Sequence, residues 1–166
     1  MLPTGAFAGL TSIRTLRITS NKIDVISDGA FRGMPRLQSL HLEGNVLKEV
    51  DADDFAELYD LIELFLQDNR IVSIDANSFV ELAALKTLDL SGNRLSTIRR
   101  STFAGLKALL KLDLTGNRIR VLETGSFDDL NSLVHLSVKQ NRLFNISVSD
   151  IEKLTKMTNF EFDGNR

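Results

Sequence analysis

The sequence predicts a solenoid of stacked coils with a parallel β-sheet along one side, and two observations support this fold class. Asparagine recurs every 24 residues without a slip, at seven positions: Asn21, Asn45, Asn69, Asn93, Asn117, Asn141 and Asn165. Apolar residues keep constant places around each of these asparagines. A fixed period of this length is typical of stacked-repeat proteins, in which each coil contacts only its neighbours.

Each coil is predicted to begin with a short strand. Within Leu88-Asp89-Leu90 apolar and polar residues alternate, as expected of a strand with one buried face. Stacking places these strands in a parallel sheet with a spacing of ~4.8 Å. The outward side chains then form columns that contain one residue from each coil.

The repeated asparagine and a repeated phenylalanine complete each coil. An asparagine side chain offers two donors and an acceptor, so a ladder of amides can satisfy the backbone where each strand turns inward. The phenylalanines should form a buried aromatic spine in the other half of the coils. They are Phe7, Phe31, Phe55, Phe79, Phe103 and Phe127.

The pattern L-x-x-L-x-L-x-x-N-x-L, as in Leu85, Leu88, Leu90, Asn93 and Leu95, resembles the leucine-rich repeat family. With a phenylalanine in the second half, it is similar to the typical 24-residue extracellular class, to which Slit and Toll-type receptor ectodomains belong. This resemblance implies a right-handed superhelix in a horseshoe arc. It also implies a parallel sheet on the concave face and a mostly irregular or 3-10 convex side.

The repeat divides residues 1–166 into one domain of six full coils with a partial coil at each end. The partial coils are 1–12 and 157–166, and the full coils are 13–36, 37–60, 61–84, 85–108, 109–132 and 133–156. Ile151 takes the place of phenylalanine in the sixth full coil, and the sequence from Ser149 to Leu154 is more helical in character than its counterparts.

Composition excludes several classes of function. The net charge of −2 gives no general attraction to nucleic acid or to an anionic membrane. No apolar run reaches the ~18 residues that a membrane-spanning helix needs. Nothing at the amino end resembles a signal peptide, and no motif for a cofactor is present.

The two ends favour a piece of a longer protein. Extracellular members of the family usually close the solenoid with disulfide-linked caps, and this chain has no cysteine. Terminal coils without a polar cover expose core leucines. We therefore expect either a middle portion of a longer chain or a homodimer that pairs through the uncapped ends.

Phe65 is the most distinctive residue of the predicted concave face. It is a large aromatic side chain expected to point into solvent, with His41, Glu63 and Gln67 around it. Aromatic anchors within a polar surround are typical of interface hot spots. A single exposed apolar residue is also common on protein surfaces, and that alternative remains open.

Asp89 and Asp113 should be direct neighbours on adjacent strands, where like charges destabilise a sheet by up to ~1 kcal/mol. A basic residue of a partner would relieve this repulsion, although two solvated carboxylates are the simpler interpretation. Calcium requires about six to eight oxygen ligands, more than a flat sheet supplies, so we predict no metal site.

A second candidate is a row of arginines that follows the repeated asparagine, with Arg94, Arg118 and Arg142 at its centre. Guanidinium groups bind sulfate in a bidentate manner, so a sulfated glycan is the ligand this row would suit. A solvated edge is the alternative. Asn145-Ile146-Ser147 matches the N-glycosylation sequon, a weak signal in a chain with many asparagines.

Catalysis finds little support in the sequence. His41 and His135 lie four coils apart, roughly 19 Å by strand spacing, which is too far to share a metal. Asp113, His135 and Ser137 match the residue types of a hydrolase triad, but nothing supplies an oxyanion hole or excludes water.

The sequence therefore predicts a non-catalytic recognition module of a secreted or cell-surface protein. It would bind a protein partner through the concave sheet at Phe65, His41, Glu63, Gln67, Asp89 and Asp113. The alternatives are spacer coils of a longer receptor and sulfated-glycan binding along the arginine row.

Overall fold

The computed structural model describes residues 1–146 and 148–166, and it confirms the predicted solenoid of parallel strands. Seven three-residue strands form one sheet in the order β1-β2-β4-β6-β8-β10-β11. Their bounds are β1 Thr15–Arg17, β2 Ser39–His41, β4 Glu63–Phe65, β6 Thr87–Asp89, β8 Lys111–Asp113, β10 His135–Ser137 and β11 Asn159–Glu161. Every pair in this sheet is parallel, and each residue lies beside the residue one coil away.

The core is a set of columns that run from coil to coil. Leu40, Leu64, Leu88, Leu112 and Leu136 are the middle residues of successive strands, and each is fully buried. Because the repeat keeps its length, each leucine packs on its equivalents in the coils before and after it. This stacking removes apolar surface from water, which is the main stabilising contribution in a fold of this kind.

The phenylalanine spine is confirmed. Stacked ring pairs join Phe7 to Phe31, Phe31 to Phe55, Phe55 to Phe79 and Phe103 to Phe127, with centroids 5.8 to 6.3 Å apart. Their offset-stacked separation lies within the favourable range for aromatic pairs. The second half of each coil therefore has its own packed column.

The asparagine ladder is also confirmed. The Oδ1 atom of Asn93 accepts a hydrogen bond from the Ile71 N–H at 3.0 Å. Its Nδ2 atom donates to the carbonyls of Leu66 at 2.9 Å and Leu90 at 3.1 Å. Equivalent bonds recur at Asn45, Asn69, Asn117, Asn141 and Asn165. Each buried amide thus connects its own coil to the previous one.

The residue before each ladder asparagine is left-handed in every coil, whether or not it is glycine. Gly44, Gly92, Gly116 and Gly164 have φ angles from 65° to 74°. The equivalent non-glycine residues are Ser20 at 55°, Asp68 at 56° and Gln140 at 52°. The turn that leads into the ladder therefore fixes the backbone conformation, and glycine is only the residue that adopts it most readily.

A second set of strand contacts joins the coils two by two on the other flank. Strand β3, Glu49–Val50, pairs with β5, Ser73–Ile74, and β7, Thr97–Ile98, pairs with β9, Val121–Leu122. An isolated parallel bridge joins Leu2 to Ile26.

These parallel bonds form a second ladder, distinct from the asparagine ladder. Between the pairs, the backbone N–H that would continue the second ladder binds a side chain of its own coil. The Asp51 N–H donates to the Asp54 Oδ2 atom at 2.9 Å. The Arg99 N–H donates to the Thr102 Oγ1 atom, also at 2.9 Å. A side-chain acceptor three residues ahead therefore competes with the neighbouring coil's carbonyl and interrupts the ladder.

The convex segments consist of isolated turns rather than continuous 3-10 helices among the described residues. A typical bond runs from the Ala30 N–H to the Ser27 carbonyl at 2.9 Å. The coil that lacks the phenylalanine contains the helix α1, Val148–Ile151, as its sequence suggested. Ile151 is only partly buried there, whereas the phenylalanines from Phe31 to Phe127 are buried.

Candidate functional site

We call one surface of the solenoid the sheet face. It consists of the outward side chains of the seven-stranded sheet, together with the side chain two positions after the end of each strand. The register of the strands aligns these side chains in columns. The central column contains Arg17, His41, Phe65, Asp89, Asp113, Ser137 and Glu161. These side chains are mostly polar and differ from coil to coil, and packing of the core does not require them.

Phe65 does not stand free in solvent as the sequence suggested. Its ring lies against the imidazole of His41, with centroids 4.5 Å apart and planes inclined by 21°. Phe65 is half-buried, and His41 is only 8% exposed. The neighbouring coil supplies a flat ring at the same register, so Phe65 is less exposed than the sequence suggested. One face of Phe65 is covered, and the side chain as a whole remains partly accessible.

His41 is the centre of a polar cluster on strand β2 and its neighbours. Its Nε2 atom lies 3.1 Å from the Ser39 Oγ atom. Its Nδ1 atom lies 3.2 Å from both the Arg17 Nη1 atom and the Glu43 Oε1 atom. Either tautomer is compatible with one of these Nδ1 contacts. The contacts hold the imidazole in place, so it forms a fixed support for the Phe65 ring.

Glu63 joins the same cluster from the next coil. Its Oε2 atom accepts a hydrogen bond from the Ser39 Oγ atom at 2.9 Å. Ser39 thus connects the His41 ring to the Glu63 carboxylate. The sequence did not single out Ser39, Arg17 and Glu43. Their separation from His41 by two residues or by one full repeat is the signal that identifies them.

Two acceptor atoms beside this cluster lack a donor. The Oε2 atom of Glu43 and the Oε1 atom of Gln67 are buried and have no hydrogen-bond partner among the described residues. The two residues occupy the same column in adjacent coils, two residues after His41 and Phe65 respectively. An unpaired buried acceptor costs about 1–3 kcal/mol, so both atoms would gain from an added donor.

Asp89 and Asp113 lie side by side in the register, as predicted. Each carboxylate folds back onto its own chain. The Oδ1 atom of Asp89 accepts from the Ser91 N–H at 2.9 Å, and that of Asp113 accepts from the Thr115 N–H at 2.9 Å. Both residues remain partly exposed. The two carboxylates are therefore held by local hydrogen bonds and still present negative charge to solvent.

The triad considered in the sequence does not assemble among the described residues. Ser137 is 1% exposed, and its Oγ atom lies 2.7 Å from the Thr115 Oγ1 atom. Its hydroxyl is therefore engaged with Thr115 and is closed to solvent. His135 makes no hydrogen bond to it in the part of the chain that the structure covers. The described residues as a whole contain no group of three or more His, Cys, Asp or Glu side chains that could hold a metal ion.

The arginine row lies outside the strands of the sheet. Arg94 and Arg118 are exposed, and Arg142 is partly buried. Asn145 is exposed as well, but Ser147 lies outside the described residues, so the complete sequon does not belong to the described structure. No helix in the described part of the chain is both long and apolar enough to cross a bilayer.

Comparison with known proteins supports the fold. No curated protein matches the sequence. Two solved chains from the Toll–Spatzle complex of Drosophila resemble this structure. The chain from the glycosylated form has a TM-score of 0.89 and 20% identity, and the match covers 98% of this chain and 23% of that chain. The second has a TM-score of 0.87 and 23% identity with the same coverage.

This chain thus spans 23% of the length of those chains, and at such identity the likeness concerns the fold. The sequence itself matches the family model named leucine rich repeat in three overlapping segments, residues 1–47, 36–95 and 84–143. These matches extend over most of the chain and coincide with the stacked coils of the structure. The chain belongs to the leucine-rich repeat family.

Proposed function

We propose that this chain is a non-catalytic recognition module that binds a protein partner through the sheet face, with Phe65 at the centre of the contact. The observation that carries this proposal is a partly exposed aromatic ring held by a buried imidazole, with two acceptors beside it that have no donor among the described residues. The side chains of Glu43 and Gln67 are partly exposed, so a rotation of each would bring its buried acceptor to a donor of a partner that packs on the ring.

The charges around the ring indicate the chemistry of that partner. Glu43, Glu63, Asp89 and Asp113 place negative charge on both sides of Phe65. A guanidinium group stacks favourably on an aromatic face and offers several donors in a fixed plane. An arginine side chain of the partner, inserted beside Phe65, therefore fits this surface.

The likeness to chains of the Toll–Spatzle complex agrees with this proposal, because Toll is found there together with a protein, Spatzle. This chain covers 23% of those chains, so spacer coils of a longer receptor are the competing function. By the same resemblance we propose an extracellular or cell-surface location. Occupancy of Asn145 by a glycan would support it, seen as a mass loss on treatment of the natural protein with an N-glycosidase and absent in Asn145→Gln.

The proposal is tested by selection of peptides from a random displayed library on the wild-type chain. Selected peptides should contain arginine, and their affinity should fall by about 2 kcal/mol, roughly 30-fold, for Phe65→Ala. Gln67→Leu should weaken binding in the same direction, because it removes an acceptor.

Tyr59→Ala is the matched control, since Tyr59 is an aromatic residue that is 58% exposed and lies outside the sheet strands. Peptides that bind Phe65→Ala as tightly as the wild type, or that depend on Tyr59, would contradict the assignment of the sheet face. Failure to select any peptide that depends on Phe65 would favour the spacer function.

A further inference from the structure

We propose that a second surface, independent of the sheet face, binds a sulfated polysaccharide. This surface, the basic edge, consists of Arg94, Arg118, Arg120, Arg142 and Phe144. It combines arginines at equivalent repeat positions, which form no ion pair among the described residues, with a ring that is almost fully exposed.

Backbone bonds fix the positions of the arginines. The N–H groups of Arg94, Arg118 and Arg142 donate to Ile71, Leu95 and Ile119 of the preceding coils at 2.8 to 2.9 Å. Each of these arginines directly follows a ladder asparagine, whose side chain binds both its own coil and the preceding coil. The three arginines therefore start from equivalent points one coil apart, a step of ~4.8 Å. Such a row presents charge at a regular interval along a line.

Arg120 and Phe144 form a second row beside the first. Each follows a core residue, Ile119 or Leu143, which is 0% or 1% exposed. In an extended segment, the residues before and after a buried side chain point away from the core. Arg118 and Arg120 therefore project from the same side of one coil, and Arg142 and Phe144 project from the same side of the next.

The charges on the basic edge are uncompensated. Ion pairs in the described parts of the chain involve other cations, for example Arg32 with Glu57 and Lys153 with Asp128. None involves an arginine of the basic edge. The carboxylate nearest in sequence, Glu123, accepts a hydrogen bond from the Arg100 N–H at 3.1 Å. Neighbouring like charges repel, and an anion that bridges them removes this cost.

The presence of Phe144 favours a sugar polymer over a simple anion as the ligand. It is 84% exposed, the highest value among the large hydrophobic residues of the described chain. A single exposed apolar residue is ordinary, but this one lies in a row of arginines. An aromatic ring in that position can cover the apolar face of a sugar ring while the guanidinium groups bind its sulfates. Single-stranded nucleic acid, by contrast, is usually held by several stacked aromatics, and the basic edge has one.

The test uses a heparin-derived oligosaccharide and measures its affinity by titration calorimetry. The wild type should bind, and the affinity should fall steeply as salt increases, because exposed charges are screened. Arg118→Gln with Arg120→Gln should weaken binding at least 10-fold, and Phe144→Ala should weaken it several-fold. Chemically desulfated heparin should not bind.

Arg14→Gln with Arg36→Gln is the matched control, because both arginines are exposed, lie outside the basic edge and carry the same charge. This double variant should bind heparin as the wild type does, and so should Phe65→Ala. An equal loss in the control variant would overturn the proposal in favour of non-specific attraction. A single-stranded oligodeoxynucleotide that binds the basic edge as tightly as heparin would overturn it in favour of nucleic acid, and absence of heparin binding would overturn it outright.

Discussion

The imidazole of His41 and the ring of Phe65 lie stacked across adjacent strands of the sheet, with centroids 4.5 Å apart. This contact gives Phe65 a support on one side and leaves its remaining surface for a partner. An aromatic side chain held by a fixed neighbour loses little conformational freedom on binding. The stacked pair therefore serves recognition better than a freely rotating ring would.

Phe65→Ala and Phe79→Ala should separate recognition from stability. Phe79 is fully buried in the aromatic spine, and its removal should cost about 3–5 kcal/mol of unfolding free energy. Phe65 loses one stacked contact, so its removal should cost only about 1 kcal/mol. Urea unfolding measures both values. Equal losses for the two variants would mean that Phe65 is a core residue and not a residue of the binding surface.

Replacement of a ladder asparagine should be strongly destabilising. Asn93→Ala leaves the Ile71 N–H without its partner and removes one hydrogen bond from each of the Leu66 and Leu90 carbonyls. These carbonyls keep the bonds donated by Asn69 and Asn117. An unsatisfied buried donor costs about 1–3 kcal/mol and each lost hydrogen bond about 0.5–1.5 kcal/mol, so we expect a total loss of at least ~2 kcal/mol. Asn21→Ala is the control, since Asn21 is exposed and its side chain bonds only to the Thr19 carbonyl in the described part of the chain. A similar small loss at both positions would contradict the structural role of the ladder.

Stability should depend on pH through Asp54. Burial raises the pKa of this carboxyl from its usual 3.8 to about 7, and the carboxylates of Asp51, Asp28 and Asp53 add to that increase. Between about pH 4 and pH 7 the folded chain holds a proton that the unfolded chain releases. The free energy of unfolding should therefore be greatest at the acidic end of this window, fall as the pH rises, and level off above about pH 7.

Asp54→Thr is the variant that isolates this effect. Thr102 occupies the equivalent place two coils later, where its Oγ1 atom accepts the Arg99 N–H at 2.9 Å. A threonine at position 54 can accept the Asp51 N–H in the same way and does not titrate. In this variant, the melting temperature measured from pH 4 to pH 8 should no longer show the decrease with pH that we assign to Asp54. Parallel profiles for the wild type and the variant would exclude Asp54 as its source.

Glycines at one repeat position should differ in their tolerance of a side chain. Gly33 and Gly105 are both left-handed, with φ of 82° and 88°. A Cβ atom at Gly105 would lie 2.8 Å from the Val80 Cα atom, whereas one at Gly33 would meet no described residue within 4 Å. Both alanine variants incur the left-handed cost of roughly 1–2 kcal/mol.

Gly105→Ala should cost a further ~1–3 kcal/mol, because backbone atoms of the neighbouring coil must move. Calorimetric melting temperatures of the two variants provide the comparison. If Gly33→Ala is as destabilising as Gly105→Ala, the close approach of Val80 is not what requires glycine at position 105.

The fold could be predicted because the repeat gives each core residue the same surroundings in every coil. Leu88, Phe79 and Asn93 each stack on equivalents 24 residues away, so their burial follows from sequence spacing alone. The outward residues do not repeat. Whether His41 is buried, or where the Ser137 hydroxyl points, depends on which unlike side chains meet across the register.

The sequence by itself therefore determined the stacking, the strand register, the core columns and the asparagine ladder, because one period controls all of them. The tertiary structure alone decided that His41 supports Phe65 and that Glu43 and Gln67 keep acceptors without donors. It also decided that Asp54 and Thr102 interrupt the second ladder. These features depend on rotamers and on competition between side-chain and backbone acceptors, and such local choices leave no periodic trace in the sequence.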